Sequence, residues 1–105
     1  MTAVPADRIS AELPGLLDRA SLDGAVAHVH LDLDAFDPAH VGRANTLPVP
    51  DGLSVEQLIA AIAAIRARIP LAAAAIASYA PEFDSQGGVC RAAFAAIDAM
   101  LSDLV

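Results

Sequence analysis

The stretch His28-Val29-His30-Leu31-Asp32-Leu33-Asp34-Ala35-Phe36-Asp37-Pro38 limits the folds open to this chain more than any other. From Ala27 to Asp34 apolar and polar residues alternate, which is the two-residue period of a β-strand. The period predicts a buried strand over about residues 25–33. His28, His30, Asp32 and Asp34 then share one face, and Ala27, Val29, Leu31 and Leu33 the other. Asp37-Pro38 turns the chain into a loop. Carboxylates converging at the C-terminal end of a strand lie where α/β sheets bind their ligands.

The flanking sequence supplies the partners such a strand needs. Upstream, Ser10 can cap a helix through about Ala20, with Leu13, Leu16, Leu17 and Ala20 at helical spacing and Pro14 early enough to be tolerated. Asp23-Gly24 is a turn. Downstream, residues 37–53 hold three prolines and two glycines without periodicity, the signature of a long functional loop. Ser54-Val55-Glu56-Gln57 is a capping box, and Val55, Leu58, Ile59, Ile62, Ile65 and Ile69 follow at helical spacing until Pro70. Leu71 to Tyr79 reads as a second buried strand. Gly87-Gly88 opens a last helix with the stripe Val89, Ala93, Phe94, Ile97, Met100, Leu101 and Leu104.

The order is helix-strand-helix-strand-helix, and strand–helix–strand implies a parallel βαβ unit with a right-handed crossover. Two parallel strands need both faces and both edges covered. The fold class expected is therefore α/β, part of a three-layer α/β/α parallel-sheet domain. Residues 1–24 form its N-terminal helix and turn, and residues 25–105 a βαβα core.

Composition narrows the partners. The chain has 105 residues, of which 56% are hydrophobic and only 4% aromatic, so its core is built from small side chains. Surplus apolar surface on so short a chain implies a partner, a homo-oligomer or a missing remainder. The net charge is −7, and all six basic residues are arginines. That balance excludes a nucleic-acid backbone or an anionic membrane as partner, and suits cations near the carboxylates. Cys90 is the single cysteine, so an internal disulfide is excluded, and its alanine-rich surroundings predict a buried thiol. The start has no signal-peptide pattern and no apolar run is long enough for a bilayer, so the expected compartment is the cytoplasm.

A bare Asp-x-Asp at a strand end has two readings. The carboxylates can cap backbone N–H groups at the strand–loop junction, or share a hard cation that relieves their repulsion. An EF-hand loop fails because Asp37 and Arg43 stand where it needs glycine and glutamate. A haloacid-dehalogenase phosphatase needs a lysine, which the chain lacks. The string HLDLDAF is similar to the palm strand of lesion-bypass DNA polymerases, but Asp-Pro and the acidic balance do not fit it.

More of the chain resembles the arginase/agmatinase (ureohydrolase) family. Its C-terminal signature is a strand ending D-x-D-x-x-D-P, matched by Asp32, Asp34, Asp37 and Pro38. A helix start matched by Gly52-Leu53-Ser54 follows, and then a second strand end matched by Ile76-Ala77-Ser78-Tyr79-Ala80-Pro81. The resemblance runs in order over residues 25–104. It implies a binuclear manganese site in the complete family fold, with Asp32 bridging two ions, Asp34 ligating one, and Asp37 and Pro38 structural. It also implies hydrolysis of a C–N bond in a guanidino or amidino substrate by a metal-activated water. The family's other ligands, a histidine and a D-x-H-x-D motif, are not in this sequence, so the chain corresponds to a C-terminal portion carrying half the site and inactive alone. Ser78 stands where the family has a glutamate that grips the guanidinium, which counts against a guanidino substrate.

Other residues near the motif have candidate roles. His30, and His28 below it, can orient a carboxylate, with His28 expected as a satisfied core histidine. His40 is expected in solvent. Arg43, Asn45 and Ser78 are candidates for a substrate loop. The alternative to a hydrolase portion is a non-catalytic α/β scaffold that uses its apolar faces for association.

Overall fold

The computed structural model of the chain describes residues 1–102. Pro5 starts a single 3₁₀ turn, Ala6–Arg8, that runs directly into helix α1, Ile9–Arg19. Ser10 is therefore the second helical residue and not the cap expected of it, because the preceding turn already supplies the entry into the helix. Pro14 lies inside α1. It cannot donate to the Ser10 carbonyl, but Ser10 is exposed, so water can satisfy that group. No residue of α1 is fully buried. The helix leans on the crossover helix, and Arg68 Nε fastens the pair by donating to Asp18 Oδ1 at 2.7 Å. That hydrogen bond holds the exposed Asp18 carboxyl below the usual range.

Strand β1 spans Ala27–Asp32 and strand β2 spans Leu71–Ala77. They pair in parallel, with His28 opposite Ala73, His30 opposite Ala75 and Asp32 opposite Ala77. Between them the chain forms α2, Pro38–Val41, and α3, Val55–Arg66. The last helix, α4, covers Gly88–Leu101. The expected α/β order of helix, strand, helix, strand, helix is thus the observed one. The capping box is also present: Gln57 N–H donates to Ser54 Oγ at 3.1 Å, and Ser54 N–H to Gln57 Oε1 at 2.9 Å. The long loop is more ordered than its composition implied, since Asp37 caps the one-turn helix α2.

Helices cover one face of the sheet. Leu31 and Leu33 join Phe36, Leu58, Ile62, Val89, Ala92, Ala96 and Met100 in one core, with Val29 and Ile9 packed against it. Ile62 and Val89 are sealed from solvent, and each such side chain contributes about 1.5–3 kcal/mol by its burial. On the opposite face His28, His30 and Asp32 are exposed. His28 is therefore not a core residue: it points away from the helical layer. The described residues form a two-stranded parallel sheet backed by one helical layer.

The α4 stripe is rotated from the one expected. Val89, Ala92, Ala96 and Met100 are buried, while Phe94 is 62% and Leu101 48% exposed. Alanines let α4 sit close against α3, and the larger residues turn toward β2. There Leu71, Ala74, Ile76, Ile97, Met100 and Leu101 line an open apolar groove. Leu104 lies outside the described residues. Among those residues no helix is long and apolar enough to cross a membrane.

Where β1 ends, the loop returns beside it. Leu53 N–H donates to Ala35 O at 2.7 Å, and Asp37 N–H to Leu53 O at 2.9 Å, which forms a short parallel bridge between Phe36 and Leu53. Gly52 makes this approach possible: a Cβ there would meet Ala35 O at 2.5 Å and Phe36 C at 2.8 Å.

Candidate metal centre

Asp32 is the last residue of β1 and lies level with Ala77, one residue before Ser78. A 3₁₀ turn, Leu33–Ala35, begins there. The strand period therefore stops before Asp34, and the shared strand face expected for both carboxylates gives way to a turn. The turn is stabilised by Asp32 itself, whose Oδ1 accepts from Asp34 N–H at 2.9 Å. Asp37 does the same for the next turn, accepting from Ala39 N–H through Oδ1 at 2.9 Å ahead of Pro38.

Asp34 is held from the opposite side. Asn45 Nδ2 donates to Asp34 Oδ1 at 2.9 Å and to the Ser78 carbonyl at 3.1 Å. Asn45 Oδ1 in turn accepts from Leu47 N–H at 2.9 Å. A second stitch lies alongside, from Ala80 N–H to Ala44 O at 2.7 Å. These bonds bring the exit of β1, the 42–47 loop and the exit of β2 together at one edge. Ser78 adopts φ 72°, a left-handed conformation rare for a residue with a side chain. Its carbonyl is the group that Asn45 holds.

Arg43 turns back onto its own loop. Its Nε and Nη2 donate to the carbonyls of Asn45 and Thr46 at 3.3 and 3.1 Å, and its guanidinium lies 4.9 Å from the Phe83 ring centre. The arginine braces the loop. His30 sits on the open sheet face beside Asp32, and His40 is exposed on α2.

Carboxylate oxygens at a strand end are donors of the type a hard divalent cation takes. Asp32 and Asp34 fit that chemistry, each already fixed through Oδ1. They do not amount to a complete site, because among the described residues no three His, Cys, Asp or Glu side chains are grouped to hold an ion.

Sequence reasoning missed one buried polar centre next to the site. Asp84 is only 9% exposed. It accepts from Val89 N–H at 3.1 Å, Cys90 N–H at 3.0 Å and Tyr79 Oη at 2.7 Å. It therefore satisfies backbone N–H groups in the first turn of α4 from four residues before Gly88. Burial pushes the carboxyl up, but the bonds from Tyr79, Cys90 and Val89, with Arg91 nearby, outweigh it and hold it below the usual range. Its hydrogen bond to Tyr79, then burial, then its charge push the Tyr79 phenol up to about 12. An aspartate a few residues ahead of Gly87-Gly88 was the available signal. Cys90 is half-buried at the same place.

The family model described as Arginase family matches residues 1–103. No match was found among curated proteins. The fold superposes on a hypothetical agmatinase from Burkholderia thailandensis with a TM-score of 0.73 at 25% identity, over 90% of this chain and 30% of that one. Arginase from Entamoeba histolytica, solved with L-ornithine, gives a TM-score of 0.72 at 21% identity, over 87% of this chain and 30% of that one. Arginase from Bacillus caldovelox gives 0.69 at 21%, over 93% and 31% respectively. The likeness to these two arginases is one of fold. The chain spans about a third of the length of the solved structures it matches, at 30–34%. With the D-x-D-x-x-D-P strand end, the matched βαβ order and a family match along nearly its whole length, the chain belongs to the arginase family.

Proposed function

We propose that this chain is the C-terminal segment of a ureohydrolase-type manganese hydrolase that acts on C–N bonds of guanidino or amidino compounds. Residues 1–105 supply half of a two-ion site, through Asp32 and Asp34, and are inactive until an upstream half is present. The observation that carries this reading is the placement of both aspartates at the carboxyl end of β1, beside the exit of β2. A bound pair of ions would supply an activated water and charge neutralisation. The protein's own part is to hold two carboxylates at the sheet edge and to present the Ser78 end of β2 beside them.

Ser78 favours a second reading. Its side chain carries no charge to meet a guanidinium, so a non-catalytic scaffold that keeps the family fold is the alternative. Manganese titrated calorimetrically into the wild type and into Asp32→Ala/Asp34→Ala separates the two. Weak binding that disappears in the double variant, with no turnover of arginine or agmatine by the chain alone, is the expected result. Binding that is unchanged in the double variant supports the scaffold. Tight binding of two ions per chain, with hydrolysis abolished by Asp32→Ala, means the chain completes its own site.

A further inference from the structure

We propose that a second copy of this chain docks on the wall formed by the free edge of β2 and the outer side of α4. The product is a twofold dimer with a continuous four-stranded sheet, β2 lying antiparallel to its own copy. The inference goes beyond the half-site reading and does not depend on it.

The wall offers both backbone groups and apolar surface. Among the described residues the sheet has two strands, so one edge of β2 has no partner. A strand paired on one side only turns part of its N–H and C=O groups outward, where a further strand can take them. The sequence of that edge is leucine, isoleucine and five alanines, with no charge and no proline to deter pairing. Its one irregularity, at Ala72, lies near the start and leaves residues 73–77 in regular register. Beside the edge, Ile76, Tyr79, Phe94 and Leu101 are 37, 40, 62 and 48% exposed. At roughly 150–250 Å² for a large side chain, their exposed parts alone offer about 300–450 Å². With the alanine edge added, the wall approaches the roughly 600 Å² per copy of the smaller specific interfaces.

Charge selects the second copy as occupant. The chain carries −7 overall, so two copies repel unless they meet where that charge is absent. Strand β2 is neutral, and α4 carries one residue of each sign, Arg91 and Asp98. These two are exposed and stand two helical turns apart on one side of α4, with Phe94 between them. When two such helices run antiparallel across a twofold axis, Arg91 of each copy comes level with Asp98 of the other. Arg91 Nη1 donates to the Gln86 carbonyl at 3.0 Å, which leaves further N–H donors on the guanidinium for that pair. The pattern is complementary to itself. An axis through the middle of residues 73–77 sets Ala75 opposite its own copy and Ala74 opposite Ile76, while the Phe94 and Leu101 side chains close over the joined groove.

The test uses the whole chain. Sedimentation equilibrium should show monomer and dimer in exchange. Ala74→Lys, which puts a charge into the shared groove, should raise Kd about 10-fold or more. Ala20→Lys, exposed at the end of α1, should leave Kd unchanged. Arg91→Glu and Asp98→Arg should each weaken the dimer about 2–5-fold, and the two together should restore it. Opposed residues on antiparallel strands have Cα atoms about 4.5–5.5 Å apart, within reach of a disulfide. Mild oxidation of Ala75→Cys/Cys90→Ala should therefore link two copies through position 75, and Ala20→Cys/Cys90→Ala should not link. A monomer at every concentration overturns the proposal. So does a dimer whose Kd is unmoved in Ala74→Lys, or one that forms no link at position 75. Should Ala74→Lys not fold, the cross-link and the charge exchange decide.

Discussion

The hydroxyl of Tyr79 and the carboxylate of Asp84 form a polar contact whose proton balance sets a pH limit at each end. The hydrogen bond to Asp84 pushes the Tyr79 phenol up to about 12, from an ordinary 10.0. The folded state therefore holds that proton more tightly, and the stabilisation is whole below pH 10 and lost as pH rises from 10 through about 12. Asp84 runs the other way. Its carboxyl is held below the ordinary 3.8, so its contribution is whole above that value and lost as pH falls beneath it. Urea melts between pH 8 and 12 should show stability falling at the alkaline end in wild type and a flatter profile in Tyr79→Phe. An equal alkaline fall in Tyr79→Phe would show the loss to lie elsewhere. Asp84→Ala strands two backbone N–H groups at the start of α4 and should cost about 1–3 kcal/mol in the same melts at neutral pH.

Each helix and strand was legible in the sequence to the extent that its cause was local. Ser54 and Gln57 lie three residues apart and specify the start of α3 by themselves, so the capping box was found as read. Replacing Ser54 by alanine removes one of its two bonds and should lower stability by about 1 kcal/mol, seen as a lower denaturant midpoint at unchanged slope. The end of β1 was misplaced because the strand period says nothing of a carboxylate that bonds the next backbone N–H, which is what Asp32 does. The Asn45 bonds to Asp34 and Ser78 cross 11 and 33 residues, a span no periodicity encodes. The same holds for α4, whose buried side was chosen by how closely Ala92 and Ala96 let it pack.

As a whole molecule the chain is short of cover. Among the described residues one sheet face carries exposed His28, His30 and Asp32, β1 and β2 each have an unpaired edge, and Phe94 and Leu101 on α4 stand in solvent. Such edges and apolar surface favour association. The isolated chain is expected to sediment above monomer mass in a concentration-dependent manner. A compact monomer with a sharp two-state melt would show that one helical layer suffices. The same parallel pairing also sets the order of assembly. Ala27 meets Leu71 and Asp32 meets Ala77 only after the chain has closed a loop of roughly forty residues through α3. The first bond between the strands thus comes after most of that entropy is spent, so sheet pairing is a late event in folding. The Asp34–Asn45–Ser78 contact depends on both strand exits being in place, so the candidate site is among the last features to form and the first to come apart.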